Sequence, residues 1–225
     1  MQAPKILVVC AAQLEAKELI KLPTEQLSNN TFKIEYKTLS FDLLITGVGI
    51  AAMTYHLTTH LMKNNYDFVV LMGISGAYST TLQLGEVVQV ETERFGDLGV
   101  LLENGFLDLF DTQLADSNVF PFKNKVLKNY TLINNQSVLK LATAQGNTVQ
   151  TIRPKINAYI QQQTDVESME GAAFFYVCMQ QRIPFLQIRS ISNYVGEQNK
   201  QLWNIPLAIT KLTNAVFGMF DEFLN

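Results

Sequence analysis

The sequence predicts an α/β fold in which helices cover both faces of a central sheet, as three layers. Several short runs are apolar throughout, which is typical of strands buried on both faces, and stretches with helical periodicity lie between them. The chain has 225 residues, 48% hydrophobic and 16% charged, enough to bury a substantial core. Because repeats, low-complexity tracts and an interdomain linker are absent, we expect a single domain over residues 1–225.

The predicted strands and helices alternate along much of the chain. The strand-like runs are KILVVCA (5–11), FKIEYKT (32–38), FDLLITG (41–47), DFVVLMG (67–73), EVVQVE (86–91), VLKLATA (138–144) and PFLQIRSI (184–191). The helical stretches are QLEAKELIKL (13–22), IAAMTYHLTTHLMKN (50–64), SMEGAAFFYVCMQQ (168–181) and LWNIPLAITKLTNAVFGMFDEFL (202–224). The region 100–137 has few periodic elements and is predicted to be rich in loops.

Composition excludes several classes of partner. A net charge of −3 argues against binding to nucleic acid or an anionic membrane, since both favour basic surfaces. No apolar stretch approaches the roughly 20 residues of a membrane span, and the run after Lys5 is read as a strand rather than a signal peptide because a helical pattern follows at once. Cys10 and Cys178 lie in apolar runs and predict buried, reduced thiols of a cytoplasmic protein.

Ligands of open α/β sheets bind beyond the carboxyl ends of the strands. Glycines there let the backbone approach a ligand, while polar side chains supply chemistry. Six segments occupy such positions: CAAQLEA (10–16), TGVGIAA (46–52), MGISGAY (72–78), TAQGNTV (143–149), VESMEGAA (166–173) and SISNYVG (190–196).

Two motifs point weakly to a cofactor or a metal. GVGIAA (47–52) matches the dinucleotide fingerprint, but Asp67, twenty residues beyond Gly47, opens its strand and so lies at the wrong edge to meet a ribose. His56 and His60 have the i, i+4 spacing of a metal pair but lack the glutamate of H-E-x-x-H and a third ligand. We expect neither a cofactor nor a metal.

Two carboxylates at strand ends allow more than one interpretation. Glu15 lies near the start of the first predicted helix, where an exposed glutamate ordinarily complements the helix dipole. Glu170 precedes an apolar helix and could cap it, or accept hydrogen bonds from ligand hydroxyls. With an amide at a third strand end, the two carboxylates also suit a site that activates water on a sugar derivative.

The segment VESMEGAAFFYVCMQQRIPFLQIRSISNYVG (166–196) resembles the purine nucleoside phosphorylase/uridine phosphorylase superfamily. MEG before an apolar helix, then IP and an IRSIS strand, resemble most closely its hydrolytic branch, the methylthioadenosine/adenosylhomocysteine nucleosidases and futalosine hydrolases. Earlier strand ends match in order: CAAQLEA their Ala-Met-x-x-Glu, TGVG their Ser-Gly-Ile-Gly, and GISGA their ribose loop. The resemblance spans nearly the whole chain. It implies a three-layer α/β/α sandwich with a central mixed sheet, and a homodimer or higher homo-oligomer.

The resemblance also implies roles for individual residues. Glu15 matches the carboxylate that activates the attacking water, and Glu170 the glutamate that holds the ribose 2′- and 3′-hydroxyls. Met169 is expected beneath the sugar, and Ser75 and Gly76 in the ribose loop.

The base is expected to contact other strand ends. Asn147 and Thr148 fall where the nucleosidases hold the base, although TAQGNTV departs from their pattern, and Arg189 is expected to support Glu170. After IS, where the nucleosidases have an aspartate, this chain has Asn193. Its C=O and NH2 groups are complementary to the N7–H and O6 of departing hypoxanthine; an amide that caps its own turn is the alternative.

The attacking group is expected to be water. A phosphorylase holds a phosphate dianion, usually by arginines on the first and third strand-end loops. CAAQLEA and MGISGA contain no Arg or Lys, and Glu15 would repel phosphate.

The resemblance therefore implies hydrolysis of the N-glycosidic bond of futalosine, releasing hypoxanthine and dehypoxanthine futalosine in menaquinone biosynthesis. The enzymatic alternative is a methylthioadenosine/adenosylhomocysteine or inosine-type nucleosidase. The non-enzymatic alternative is a nucleoside-binding regulatory protein.

Overall fold

The structure, a computed structural model, describes residues 4–103, 105–152, 164–197 and 199–223. The strands in these ranges are β1 (Ile6–Cys10), β2 (Thr24–Gln26), β3 (Thr31–Tyr36), β4 (Leu39–Ile45), β5 (Phe68–Ala77), β6 (Val87–Phe95), β7 (Gly99–Leu102), β8 (Gly105–Asp108), β9 (Leu127–Lys128), β10 (Ala142–Thr148), β11 (Val166–Ser168) and β12 (Phe185–Tyr194). The helices are α1 (Ile50–Leu61), α2 (Gln136–Leu139), α3 (Gly171–Gln181) and α4 (Ile205–Phe223), with a 3-10 helix at Lys200–Leu202.

The central sheet is mixed, in the order β11-β10-β6-β12-β5-β1-β4-β3-β2. β1 is parallel to β4 and β5, and β5 is parallel to β12, so their carboxyl ends meet at one edge. β12 is antiparallel to β6. β11 pairs with β10 on one side and with the last two residues of β5 on the other. The strands β5, β12, β6, β10 and β11 therefore close into a ring that carries the start of α3 to this edge.

Alternate residues of the buried strands supply two apolar layers. In β1, Leu7 and Val9 belong to a cluster with the buried faces of α1 and α3. Ile6, Val8 and Cys10 belong to a second cluster, with α2 and α4. The three-layer α/β/α sandwich with a central mixed sheet is confirmed.

Two predicted elements are wrong. Residues 11–23 form turns and bends instead of the helix predicted at 13–22, and the N–H of Glu15 bonds to Ala12 O three residues back, at 3.0 Å. The strand predicted at 138–144 comes four residues too early. Asn135 caps the short helix α2 by accepting from the N–H of Val138 at 3.1 Å, and β10 begins only at Ala142.

The region predicted to be rich in loops contains the β7–β8 hairpin and β9. The last helix is observed as α4, and residue 224 of its predicted range lies outside the described residues. Cys10 and Cys178 are buried free thiols, as predicted. Within the described part of the chain, no helix combines the length and apolarity needed to cross a bilayer.

Candidate active site

A cavity of about 620 Å³ lies where the ends of β1, β5, β11 and β12 meet. Its walls are mostly apolar, with a small number of polar groups converging on it, which is typical of small-molecule sites. Of the predicted site residues, the cavity brings together Glu15, Ser75, Gly76, Met169, Glu170 and Asn193.

Glu15 is buried and held by three backbone N–H groups. Its Oε2 accepts from Ala11 at 3.1 Å and from Ala12 at 3.0 Å, and its Oε1 accepts from Ile74 at 2.9 Å. The turn after β1 thus folds the carboxylate back onto its own backbone, while β5 fixes it from the other side. Glu15 is therefore not the exposed helix glutamate that its place in the sequence would ordinarily indicate.

The charge of Glu15 depends on its surroundings. Burial raises the pKa of Glu15, Arg189 lowers it in part, and Glu170 raises it further. A Cβ added to Gly73 would overlap Arg189 Nη1 and lie 2.9 Å from Glu15 Oε1. The glycine on β5 therefore lets the guanidinium and the carboxylate pack against the same stretch of backbone.

Glu170 directly precedes α3, but its side chain does not cap that helix. Its Oε1 accepts from the N–H of Gly49 at 2.9 Å, just before α1. Gly49 has a φ of 95°, a conformation that favours glycine. Oε2 lies 3.8 Å from Nη2 of Arg189, and both side chains are buried. Glu170 is thus fixed from α1 and from β12, with its carboxylate at the cavity.

Asn193 reaches the cavity through an irregularity in β12. The register with β5 shifts between Ile191 and Asn193, and Ser192 and Asn193 both line the cavity although they are consecutive. Asn193 Oδ1 accepts from Ser192 Oγ at 2.8 Å, and Nδ2 donates to Tyr194 O at 3.2 Å. Each amide atom retains capacity for one further hydrogen bond.

Asn147 and Thr148, which were predicted to contact the base, do not line the cavity, so the structure does not bring them together with the other predicted site residues. Both are fully buried inside β10. Asn147 Nδ2 donates to Tyr78 Oη at 2.7 Å, and Thr148 Oγ1 donates to Glu93 Oε2 at 2.9 Å. Because β10 starts four residues later than predicted, these residues belong to the strand, and Val149 is the residue that lines the cavity.

Several lining residues were missed by the sequence analysis. Trp203, ten residues beyond Asn193, is the one tryptophan of the chain. Glu167 accepts from Tyr78 Oη at 2.6 Å and also lines the cavity. Position along the strands could have identified two of the missed residues. Val149 directly follows β10, and Glu167 lies in β11, which ends at the cavity.

The two histidines of α1 contact protein groups. His60 Nε2 lies 2.7 Å from Tyr66 Oη, and His56 Nδ1 lies 3.3 Å from Asn30 Nδ2. Within the ranges that the structure describes, no cluster of three or more His, Cys, Asp or Glu side chains could hold a metal ion.

The model of the phosphorylase superfamily matches residues 5–225. The chain belongs to this superfamily. A futalosine hydrolase from Thermus thermophilus is 28% identical over 191 residues, covering 83% of this chain and 84% of that protein. The predicted resemblance is thereby confirmed.

Solved structures of two other proteins share the fold. A futalosine hydrolase from Helicobacter pylori has a TM-score of 0.78 at 14% identity, covering 98% of each chain. A 5′-methylthioadenosine/S-adenosylhomocysteine nucleosidase from Colwellia psychrerythraea, in complex with adenine, has a TM-score of 0.79 at 17% identity, covering 99% of this chain and 96% of that one. The prediction of an N-glycosyl hydrolase is confirmed by the family match and by the sequence relatives, which include futalosine hydrolases and 5′-methylthioadenosine/S-adenosylhomocysteine nucleosidases.

Proposed function

We propose that the protein hydrolyses the N-glycosidic bond of futalosine, releasing hypoxanthine and dehypoxanthine futalosine, a reaction of menaquinone biosynthesis. The observation that carries this proposal is the convergence of Glu15, Glu170 and Asn193, from three separate strand ends, on one largely apolar cavity. The sequence similarity to the futalosine hydrolase from Thermus thermophilus supports the choice of substrate.

Glu15 is proposed to activate the attacking water. Three backbone donors fix its carboxylate, and one lone-pair direction remains for water. The water oxygen bonds to C1′ as the C1′–N9 bond breaks, and Glu15 accepts the proton of that water. The bonding electrons leave with the purine, which takes a proton at N7 from solvent. Glu15 also stabilises the positive charge that develops on the ribose ring.

Glu170 is proposed to bind the ribose. Its burial and its contacts with Gly49 and Arg189 hold a charged acceptor at the cavity wall, where two neighbouring hydroxyls can donate to it. Met169 lines the cavity beside it and provides an apolar surface for the sugar ring, while Ser75 and Gly76 line the cavity from the end of β5.

Water, and not phosphate, is proposed as the attacking group. Among the described lining residues the one basic side chain is Lys200, on the 3-10 helix after β12. Arg189 lies behind the cavity wall, against Glu170. The ribosyl side therefore presents the carboxylate of Glu15, which disfavours a desolvated dianion.

Asn193 is proposed to recognise the base. Its free acceptor direction suits the N7–H of departing hypoxanthine, and its free N–H suits O6. A 6-amino group would instead face the amide N–H donor to donor. This supports a 6-oxopurine nucleoside over methylthioadenosine.

The test is incubation of the purified protein with futalosine, inosine or methylthioadenosine, with and without phosphate, followed by identification of the products. We expect hypoxanthine from futalosine and no sugar phosphate, with Glu15→Gln as the inactive control. Release of adenine from methylthioadenosine alone would favour the other nucleosidase activity. A ribose 1-phosphate product would contradict hydrolysis, and binding without any free base would favour a regulatory protein.

We also propose that the protein forms a homodimer or a larger homo-oligomer, as the family resemblance implies. The β7–β8 hairpin supports it with exposed apolar side chains, Leu101 at 70% and Leu102 at 47% exposure, an arrangement typical of interaction sites. Light scattering after gel filtration should give a dimer or larger species, and Leu101→Lys should shift it toward the monomer. Leu132→Lys, at a residue 98% exposed elsewhere, is the matched control. A wild-type monomer would contradict the proposal.

A further inference from the structure

Glu93 is a buried carboxylate that the proposed mechanism does not use. It lies on β6, is 1% exposed, and does not line the cavity. Its Oε1 accepts from Gln187 Nε2 at 2.7 Å, and its Oε2 accepts from Thr148 Oγ1 at 2.9 Å. Since an ionisable group is rarely enclosed without strong partners, its position calls for a physical reason.

The surrounding backbone makes room for this side chain. A Cβ added to Gly146, on β10, would lie 2.5 Å from Glu93 Cδ, and a Cβ added to Gly171, at the start of α3, would also lie 2.5 Å from it. Two glycines on different elements therefore admit the carboxyl group against the first turn of α3. A negative charge is favourable near a helix N-terminus.

A hydrogen-bond chain joins Glu93 to that turn. Thr148 Oγ1 donates to Glu93 and accepts from the N–H of Ala172 at 2.7 Å. Ala172 comes two residues after Glu170, so the chain fixes the backbone that carries the proposed ribose ligand. Arg189 and Glu170 are the charged groups that act on Glu93 from neighbouring elements.

We propose that Glu93 is a positioning residue of the ribose site, which holds Glu170 in place through Thr148 and the first turn of α3. The inference rests on the proposed ribose role of Glu170. Its effect is on ligands that carry vicinal hydroxyls, because Glu93 itself touches neither the sugar nor the base.

The experiment measures binding to the inactive Glu15→Gln protein, reported by the fluorescence of Trp203 in the cavity. The probes are inosine, 2′,3′-dideoxyinosine and hypoxanthine. Thr148→Val removes the hydroxyl link at nearly constant volume, Thr148→Ser keeps it, and Glu93→Gln keeps the volume but removes the charge. Glu91→Gln, an exposed carboxylate on the same strand, is the matched control.

We expect Thr148→Val and Glu93→Gln each to weaken inosine roughly 10-fold, the scale of one lost hydrogen bond, and to leave dideoxyinosine and hypoxanthine within about 2-fold. The two residues act through the same hydrogen-bond chain. The double variant should therefore bind inosine no more weakly than whichever single variant binds it less tightly. Thr148→Ser and Glu91→Gln should behave as the parent protein does.

A role in fold stability alone would lower the unfolding temperature without changing the ratio of inosine to dideoxyinosine affinity, and this result would overturn the inference. It would leave the proposed function standing, provided that the parent protein prefers inosine. A parent that binds both nucleosides equally would remove the ribose role of Glu170, and the inference with it.

Discussion

Arg189 Nη2 lies 3.8 Å from Glu170 Oε2, and the two side chains are 1% and 6% exposed. The arginine comes from the middle of β12, and Glu170 precedes α3. Burial raises the pKa of Glu15 and of Glu93, and the positive charge of the same guanidinium opposes that rise. A core strand carries a buried arginine because three enclosed carboxylates around it require a positive charge.

Arg189→Met should destabilise the protein, because it leaves buried carboxylates without their counter-charge. Removing one partner of a buried ion pair typically costs about 3–5 kcal/mol. The free energy of unfolding from urea titration at neutral pH measures this loss. Arg182→Met, at an exposed arginine that follows α3, should change it little. A loss below about 1 kcal/mol for Arg189→Met would mean that the carboxylates neutralise themselves by binding protons.

Glu15→Gln should abolish turnover and leave substrate binding largely intact. The amide keeps the volume and one acceptor oxygen, and its NH2 group replaces an oxygen that accepts from backbone N–H groups. It cannot accept a proton from water, and a general base contributes about 10²–10⁴-fold. Single-turnover product release measures the chemistry, and Trp203 fluorescence measures the binding. Activity near that of the wild type would assign the base to another group.

The pH profile of kcat/KM should have an acid limb set by Glu15. Its carboxyl must be ionised to act as a base, and burial raises its pKa above the ordinary value of 4.5. Activity should therefore fall as the pH decreases through a value above 4.5, with a slope of one proton. An acid limb at or below the ordinary value would contradict the enclosed position of this carboxylate.

The stability of the protein should depend on pH through Glu93. Burial raises its pKa from 4.5 to about 7, so the folded state holds this proton more tightly than the unfolded state. Stability is therefore lost as pH rises between these values, on the order of 3 kcal/mol at about 1.4 kcal/mol per pH unit. Glu93→Gln has no such term, so its stability relative to the wild type should increase over the same interval. The free energies of unfolding of the wild type and of Glu93→Gln are measured by urea titration at pH 5 and at pH 8. The same difference between the two proteins at both pH values would refute this prediction.

Secondary structure is predicted best where an apolar run in the sequence is also buried in the fold. β1, β5 and β12 are apolar runs, and each is observed close to its predicted position. β10 was misplaced because Asn147 and Thr148 look like loop residues. Their burial depends on Tyr78 and Glu93, more than 50 positions away in the chain. Hydrophobic periodicity predicts buried strands from local sequence. Polar contacts between residues far apart in the chain have no local pattern, so they could not be predicted.

Asn193 should make the enzyme prefer 6-oxo over 6-amino purines as leaving groups, and Asn193→Asp should reduce that preference. With hypoxanthine, the amide C=O accepts from N7–H and the NH2 group donates to O6. A 6-aminopurine leaves two donors facing each other, which costs roughly 1–3 kcal/mol, or about 5- to 150-fold in kcat/KM. A protonated aspartate would donate to N7 and accept from the 6-amino group, so its complementarity is reversed.

The measurement compares kcat/KM for hypoxanthine and adenine nucleosides that carry the same 5′ group, since contacts on the ribose side would otherwise obscure the effect. Ser192→Ala is the useful control. It removes the hydroxyl that donates to Asn193 Oδ1 at 2.8 Å and should loosen the amide without reversing its preference. Equal kcat/KM for the two nucleosides in the wild type would mean that Asn193 only stabilises its own turn through Ser192 and Tyr194. The case for a hypoxanthine nucleoside as substrate would then lose its main physical support.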